Sequence, residues 1–245
     1  MASSSLIAAH FRKFRALDAD EEALLESLEL DPQPYPAGSF LCQAGTVAAH
    51  FFTLMEGWAG AIRHFADGRR QVLDLYLPGQ VMRLRELGSE QAQSDLVALT
   101  DVVACPFPGE KLSELLLQAP RLAETLLMIM AGDQALLTER ITNIARRPAP
   151  ERLGHFLLEL GVRLGGRPDQ FELPLNQSLI GDLLGLSAVH ISRTFSLLRR
   201  EGLISCVAGS VRILDLPALR ERCGFRERYL SQPRIAATQA ESQVP

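Results

Sequence analysis

Apolar positions recur along this chain with two different periods. From Tyr35 to about Phe107 the runs SFLCQ, HFFTLM, WAGAIRHF, RQVLDLYL, DLVALT and VVACPF are short and strand-like. Gly38, Gly45, Gly57, Gly68 and Gly79 punctuate them at intervals of about 7 to 12 residues. Asp67-Gly68 is a hairpin-turn pair, and the rhythm predicts an all-β roll, sandwich or barrel. Ahead of it, Asp18 to Leu28 reads as a short helix with Asp18 and Glu21 at capping-box spacing. Pro32, Pro34 and Pro36 then exclude helix. Residues 1–17 give no strong signal.

From Lys111 to Arg146 the period becomes helical, with Pro120 dividing a short helix from a long one. Leu122, Leu126, Ile129 and Leu136 line one side of the long helix, interrupted by Asp133, Arg140 and Asn143. Leu127, Met130, Leu137 and Ile141 line another. A helix apolar on two faces must be covered twice. One cover is its own β-roll; the other is the same helix of a second subunit, or more of the same monomer. The set assigned to the dimer seam is Leu122, Leu126, Ile129, Asp133, Leu136, Arg140 and Asn143.

Beyond a hinge-like RRPAP, Glu151 to Leu164 is a further amphipathic helix closed by Gly165-Gly166. FELPL can form a short strand. The stretch from Asn176 to Gly202 then predicts two helices around a reversal at Gly185, the second N-capped by Ser187. With residues about 100° apart, Ile191, Phe195 and Leu198 share one face, and Val189, Ser192, Arg193, Ser196 and Arg200 point the opposite way. One greasy face and one small, polar and basic face suit a DNA major groove; an ordinary helical hairpin in a core is the bland alternative. The strand-like LISCV and VRILD around a glycine-containing turn form a wing. The polar residues 231–245 are expected to be a flexible tail.

Charge sharpens this picture. The net charge of −4 hides a split: residues 1–145 carry 11 Lys+Arg against 19 Asp+Glu, and residues 146–235 carry 14 Arg against 9 Asp+Glu. The basic charge lies with the helical pair, as a phosphate-contacting domain requires. Cys42, Cys105, Cys206 and Cys223 are scattered, with no CxxC pair, so neither a disulfide framework nor a metal site is expected. Cys42 and Cys105 read as small buried residues, with a thiol switch left open. No apolar run approaches a membrane span and no signal-peptide core is present, which makes the cytoplasm the expected location. A Gly-rich phosphate loop, HExxH and GxSxG are all missing, so catalysis is not expected.

A β-roll, a long helix, a hinge and a winged helix-turn-helix, over roughly residues 20 to 225, resemble the Crp–Fnr superfamily of bacterial transcription regulators. The LIGDLLGLSAVHISRTFSLLRREGLI segment carries the likeness most specifically. The resemblance implies an α+β chain with an N-terminal double-stranded β-roll (cupin-like), a dimerisation helix and a C-terminal winged helix-turn-helix. Its expected parts are a sensor domain over 1–110, the dimer helix and hinge over 111–147, and the DNA-binding domain over 148–230. It also implies a homodimer on a palindromic double-stranded DNA site, with RNA polymerase as a further partner. Bases would be read by Val189, His190, Ser192 and Arg193. Ser187, Ser196, Arg199, Arg200 and Arg212 complete the DNA-binding set, the last three as phosphate contacts. Many members have a glutamate where this chain has Val189. Valine cannot accept a hydrogen bond from cytosine but can touch a thymine methyl, so a variant half-site is expected, anchored by Arg193 on guanine.

The sensor end departs from the cyclic-nucleotide branch. There a Gly-Glu pair follows the PG turn and an arginine comes later; here Arg83 and Leu84 occupy the pair, and the later arginine aligns near Ala92. Cyclic nucleotide is therefore not expected. No cysteine precedes Cys42, which argues against an iron–sulfur cluster. Haem stays open through His10, His50, His64 and Met82, as does another small-molecule effector at Met82, Arg83 and Arg85. No cofactor is evident. A β-roll module of a kinase or channel, or a redox or haem sensor whose output is not DNA binding, is the competing class.

Overall fold

The computed structural model describes residues 5–230. Helices α1 (Leu6–Arg12) and α2 (Ala19–Glu26) open the chain. Ser5 caps the first, and the Asp18/Glu21 capping box starts the second. Eight strands follow: β1 (Gln33–Tyr35), β2 (Phe40–Cys42), β3 (His50–Glu56), β4 (Ala59–His64), β5 (Arg70–Tyr76), β6 (Val81–Met82), β7 (Asp95–Ala98) and β8 (Val102–Pro108). They form two four-stranded antiparallel sheets in the orders β1-β8-β3-β6 and β2-β7-β4-β5. Leu54, Ala59, Met82, Leu96 and Ala104 fill the space between them. The glycine rhythm has a steric reason. Gly57 turns with φ 78°, and a Cβ there would sit 2.1 Å from the Asp101 carbonyl oxygen.

Helix α3 (Gly109–Gln118) leads to α4 (Pro120–Arg146), with Pro120 in its first turn. After the hinge come α5 (Ala149–Leu164), β9 (Gln170–Glu172), α6 (Gln177–Leu184), α7 (Ala188–Arg200), β10 (Ile204–Val207), β11 (Ser210–Ile213) and α8 (Leu216–Cys223). The wing is the hairpin β10–β11, with β9 as a third antiparallel strand.

Most of the expected dimer set lies inside its own chain, with Asp133 exposed. Leu122, Leu126 and Ile129 are buried within their own chain, beside Phe11 and Phe14 of the N-terminal segment and Leu112 and Leu115 of α3. Leu136 is buried as well. Arg140 turns inward to Asp74 and Glu159, and Asn143 donates to the Arg152 carbonyl at 3.1 Å. The second apolar line is the one left open: Leu127, Leu137 and Ile141 are 66%, 39% and 61% exposed, with Met130 half-buried between them. The reason lies in α1. Its Ile7 and Phe11, with Phe14 beyond it, supply a cover that the sequence reading left unassigned.

The two halves of the chain share one core. Trp58, Ile62, Val72 and Leu75 of the roll cluster with Leu157, Ile180 and Leu183 of the C-terminal domain. Polar links reinforce it: Arg70 meets Asp182 at 2.5 Å, and Arg163 donates to the Leu75 carbonyl at 2.6 Å. Arg140 bridges Asp74 of β5 (2.8 Å) and Glu159 of α5 (3.5 Å). Burial pushes the Asp74 carboxyl upward, but Arg140, Arg85 and Arg163 outweigh it and hold the group below its ordinary range.

Candidate nucleic-acid interface

The helical pair is built from local chemistry. Asn176 caps α6 by accepting from the Leu179 amide at 2.9 Å. Gly185 closes α6 in the left-handed region, φ 64°. Gly181 lets the reversal close: a Cβ there would meet the Leu186 carbonyl oxygen at 2.4 Å. Ser187 then caps α7, accepting from the His190 amide at 3.2 Å.

Helix α7 is anchored by Ile191, Thr194, Phe195 and Leu198, all buried against α5 and α6. Thr194 satisfies its hydroxyl on the His190 carbonyl at 2.7 Å, so its polar atom costs the core little. The opposite face is open. Ser187, Val189, His190, Arg193, Ser196, Arg199 and Arg200 are exposed, and Ser192 is half-buried. Val189 is 61% exposed, an apolar tip on a polar surface. Among the described residues, no hydrogen bond or ion pair engages the Arg193 or Arg200 guanidinium. Arg199 donates only to Ser196, at 3.1 Å. Arg212 stands exposed on β11, where its strand pairs with Gln170 and Ser205. The wing tip Ala208-Gly209 has φ 49° and 89°, a two-residue turn that suits strand twist. Seven of the expected DNA-binding residues thus lie exposed at the cap of α7, on α7 or, as Arg199 and Arg200, at its end, with Ser192 half-buried on the same helix and Arg212 exposed on β11.

The hinge behind this surface is braced. Arg147 donates to Glu139 at 2.8 Å and to the Cys223 carbonyl at 3.1 Å. Arg152 donates to the Leu184 carbonyl at 2.8 Å and so holds the end of α6. His155 is buried among Phe225, Tyr229 and Glu139. Burial, then the nearby Arg147, lowers its pKa to about 4. Sequence reading placed Arg147 in the hinge and Arg152 and His155 on an amphipathic helix without a bracing part, and left α8 unassigned, although Asp215, which caps α8 through the Ala218 amide, was a visible start signal.

At the sensor end the three effector candidates are already engaged. Met82 is fully buried inside the roll. Arg83 adopts φ 73°, a left-handed conformation suited to glycine, and its side chain turns inward. It pairs with Glu86 at 2.9 Å and donates to the His50 carbonyl at 2.7 Å, while Ser94 holds the other Glu86 oxygen at 3.1 Å. Arg85 reaches Asp74 at 3.5 Å and the Tyr76 hydroxyl at 3.4 Å. It lines a groove of about 640 Å³ between β5 and the exposed line of α4. Of the haem candidates, His10 lines a cavity beside α4, His50 lies near Arg83, the residue after Met82, and His64 pairs with Asp95 at 2.7 Å. Cys105 is buried, which raises its thiol pKa, and Cys42 is only half-buried, 3.5 Å from the Thr46 hydroxyl.

Comparison with known proteins fits this geometry. A profile of the Crp-like helix-turn-helix domain matches residues 151–222, and one of the cyclic nucleotide-binding domain matches residues 32–119. The transcriptional regulatory protein btr of Bordetella pertussis is 30% identical over 65% of this chain and 67% of its own length. The transcriptional activator protein FnrA of Stutzerimonas stutzeri is 28% identical over 82% of this chain and 83% of its own. The chain belongs to the Crp/Fnr family of transcription regulators. Its fold is that of FixK2 from Bradyrhizobium japonicum, with a TM-score of 0.71 at 24% identity over 78% of this chain and 96% of that one. As a Crp/Fnr member it is a DNA-binding transcriptional regulator. Among the described residues, no helix is long and apolar enough to cross a membrane.

Proposed function

We propose that this regulator works as a homodimer on a palindromic DNA site, each protomer setting α7 into one of two major grooves about one helical turn apart. One observation carries the reading: the apolar line left open on α4. Leu127, Met130, Leu137 and Ile141 follow the alternating spacing of a coiled-coil seam, with Gln134 at the intervening position. A two-fold axis along that seam pairs identical surfaces and mirrors a palindrome. In each half-site Arg193 pairs with a guanine and Val189 packs on a thymine methyl, with His190 and Ser192 beside them. Arg199, Arg200 and Arg212, with Ser187 and Ser196, hold the backbone. The activator names of relatives such as FnrA support an output through RNA polymerase in the cytoplasm.

The same reading makes the roll's phosphate position self-occupied. Arg83 sits where the cyclic-nucleotide branch has glycine, and its guanidinium is neutralised by Glu86. In this reading the effector is something other than a cyclic nucleotide. Two measurements test the proposal. Native mass should give twice the chain mass, with Leu137→Glu giving the single chain. Titration with cyclic AMP should give no saturable binding. A monomer that binds a palindrome as one copy would overturn the dimer.

A further inference from the structure

The end of α6 bears on the direction of α7, because only the short reversal from Gly185 to Ser187 separates the two helices. A helix leaves its last carbonyls without partners of its own. In α6 two of them are met by side chains from outside the helical pair. Gln71 of β5 donates to the Leu183 carbonyl at 3.3 Å, and Arg152 of α5 donates to the Leu184 carbonyl at 2.8 Å through Nη1.

Arg152 does more than close α6. Its Nε and Nη2 both donate to the carbonyl of Arg147, the residue that ends α4, at 3.3 and 3.0 Å. One half-buried guanidinium therefore ties the end of α4 to the end of α6. The surrounding contacts are close. Asn143 of α4 donates to the Arg152 carbonyl at 3.1 Å. A Cβ on Gly185 would lie 3.4 Å from Ile144 Cγ2 of α4 and 3.7 Å from Arg152 Nη1. A guanidinium suits this task, since its nitrogens lie in one rigid plane, whereas an ammonium offers a single nitrogen. Each nitrogen of Arg152 already donates to a carbonyl, which sets the residue apart from the phosphate contacts.

The consequence runs through α4. Its open apolar line is the seam of the proposed dimer, so its end stands at a fixed place relative to the two-fold axis. A tie from that end to the reversal fixes the aim of α7 relative to the same axis. We propose that Arg152 is a positioning residue that holds the spacing and angle between the two α7 helices, and so determines which half-site spacing the dimer accepts. The role rests on the homodimer reading above. One base pair inserted between half-sites turns one of them by about 34° around the duplex and moves it by about 3.4 Å. A rigid pair of recognition helices cannot follow that change; a loosened pair follows it in part.

The test measures the affinity of the full chain, Arg152→Gln and Arg152→Lys for three duplexes. These are the palindrome selected by the unaltered chain, the same palindrome with one base pair inserted at its centre, and a single half-site. The unaltered chain should lose at least about tenfold on the insertion, the scale of a mismatched site. Both variants should bind the single half-site within about twofold of the unaltered chain, which reports an intact helical pair. On the palindrome they should lose about tenfold, the scale of one hydrogen bond to a charged group, and the insertion should then cost them little more. Arg152→Lys keeps the charge but not the fork, so it should behave as Arg152→Gln does. Equal weakening on half-site and palindrome, or an insertion penalty in either variant as large as that of the unaltered chain, would overturn the role of Arg152 alone. An unaltered chain indifferent to the insertion would overturn the homodimer reading, and this role with it.

Discussion

In the proposed mode of binding, Arg193 is the residue on which base reading turns. Among the described residues it is exposed and unpaired, on a helix whose opposite face is locked in the core, so it would meet DNA already positioned. Arg193→Ala should cost about 1–3 kcal/mol and relax preference at one base pair. Competition between selected and random duplexes checks this; equal weakening on both would assign it to phosphate instead. Val189→Glu should shift the selected half-site toward a cytosine partner, read by selection from random DNA. At the hinge, His155 is buried and neutral. Its folded pKa of about 4 lies below the unfolded value, so the unfolded chain binds the proton first as pH falls. The stabilisation is complete above about pH 6.5 and is lost between there and 4, by a few kcal/mol at most. Denaturant midpoints across that window should fall, and His155→Gln should flatten the slope. The role of His155 was not legible, because a lone histidine in a helical run carries no sign of what surrounds it. The faces of α7 were legible, because capping and 3.6-residue periodicity are local.

At the scale of the element, α4 shows how a helix can be legible while the cover of each of its faces is not. Its sequence is apolar on two sides, and periodicity alone does not say which side its own chain covers. The answer depends on α1, whose Ser5 cap and Ile7/Phe11 spacing are short signals in a stretch of seven helical residues. The two faces should now respond differently. Leu122→Ala removes a fully buried side chain and should lower stability by about 2–5 kcal/mol. Leu127→Ala, on the open line, should leave monomer stability almost unchanged and raise the dimer dissociation constant instead. Thermal melts and sedimentation on the two variants separate these effects. Arg83 teaches a related lesson. Sequence placed a cation at the position expected to be glycine in a cyclic-nucleotide binder, but only the fold shows that the cation is engaged by Glu86.

Across the whole molecule the two halves are one body. The order of elements was readable from the glycine rhythm, the long helix and the winged pair, because each is written in local pattern. The docking of α6 on β5 was not, because it rests on contacts between residues about a hundred positions apart, such as Arg70 and Asp182. That partly exposed pair should contribute under about 1 kcal/mol. Arg140 is different, since removing it takes the nearest cation from two buried carboxylates and leaves Asp74 only Arg85 at 3.5 Å and Glu159 only Arg163 at 3.6 Å. Arg140→Met should cost about 3–5 kcal/mol, whereas Asp182→Asn should be nearly silent in denaturant unfolding. The central claim is a two-fold regulator that places two α7 helices on one duplex, and its stoichiometry on DNA tests this most directly. Titrating the chain into a duplex selected from random sequences should saturate at two chains per palindrome, with affinity falling steeply and linearly on a logarithmic salt scale. Saturation at one chain per duplex, or binding indifferent to salt, would contradict the account.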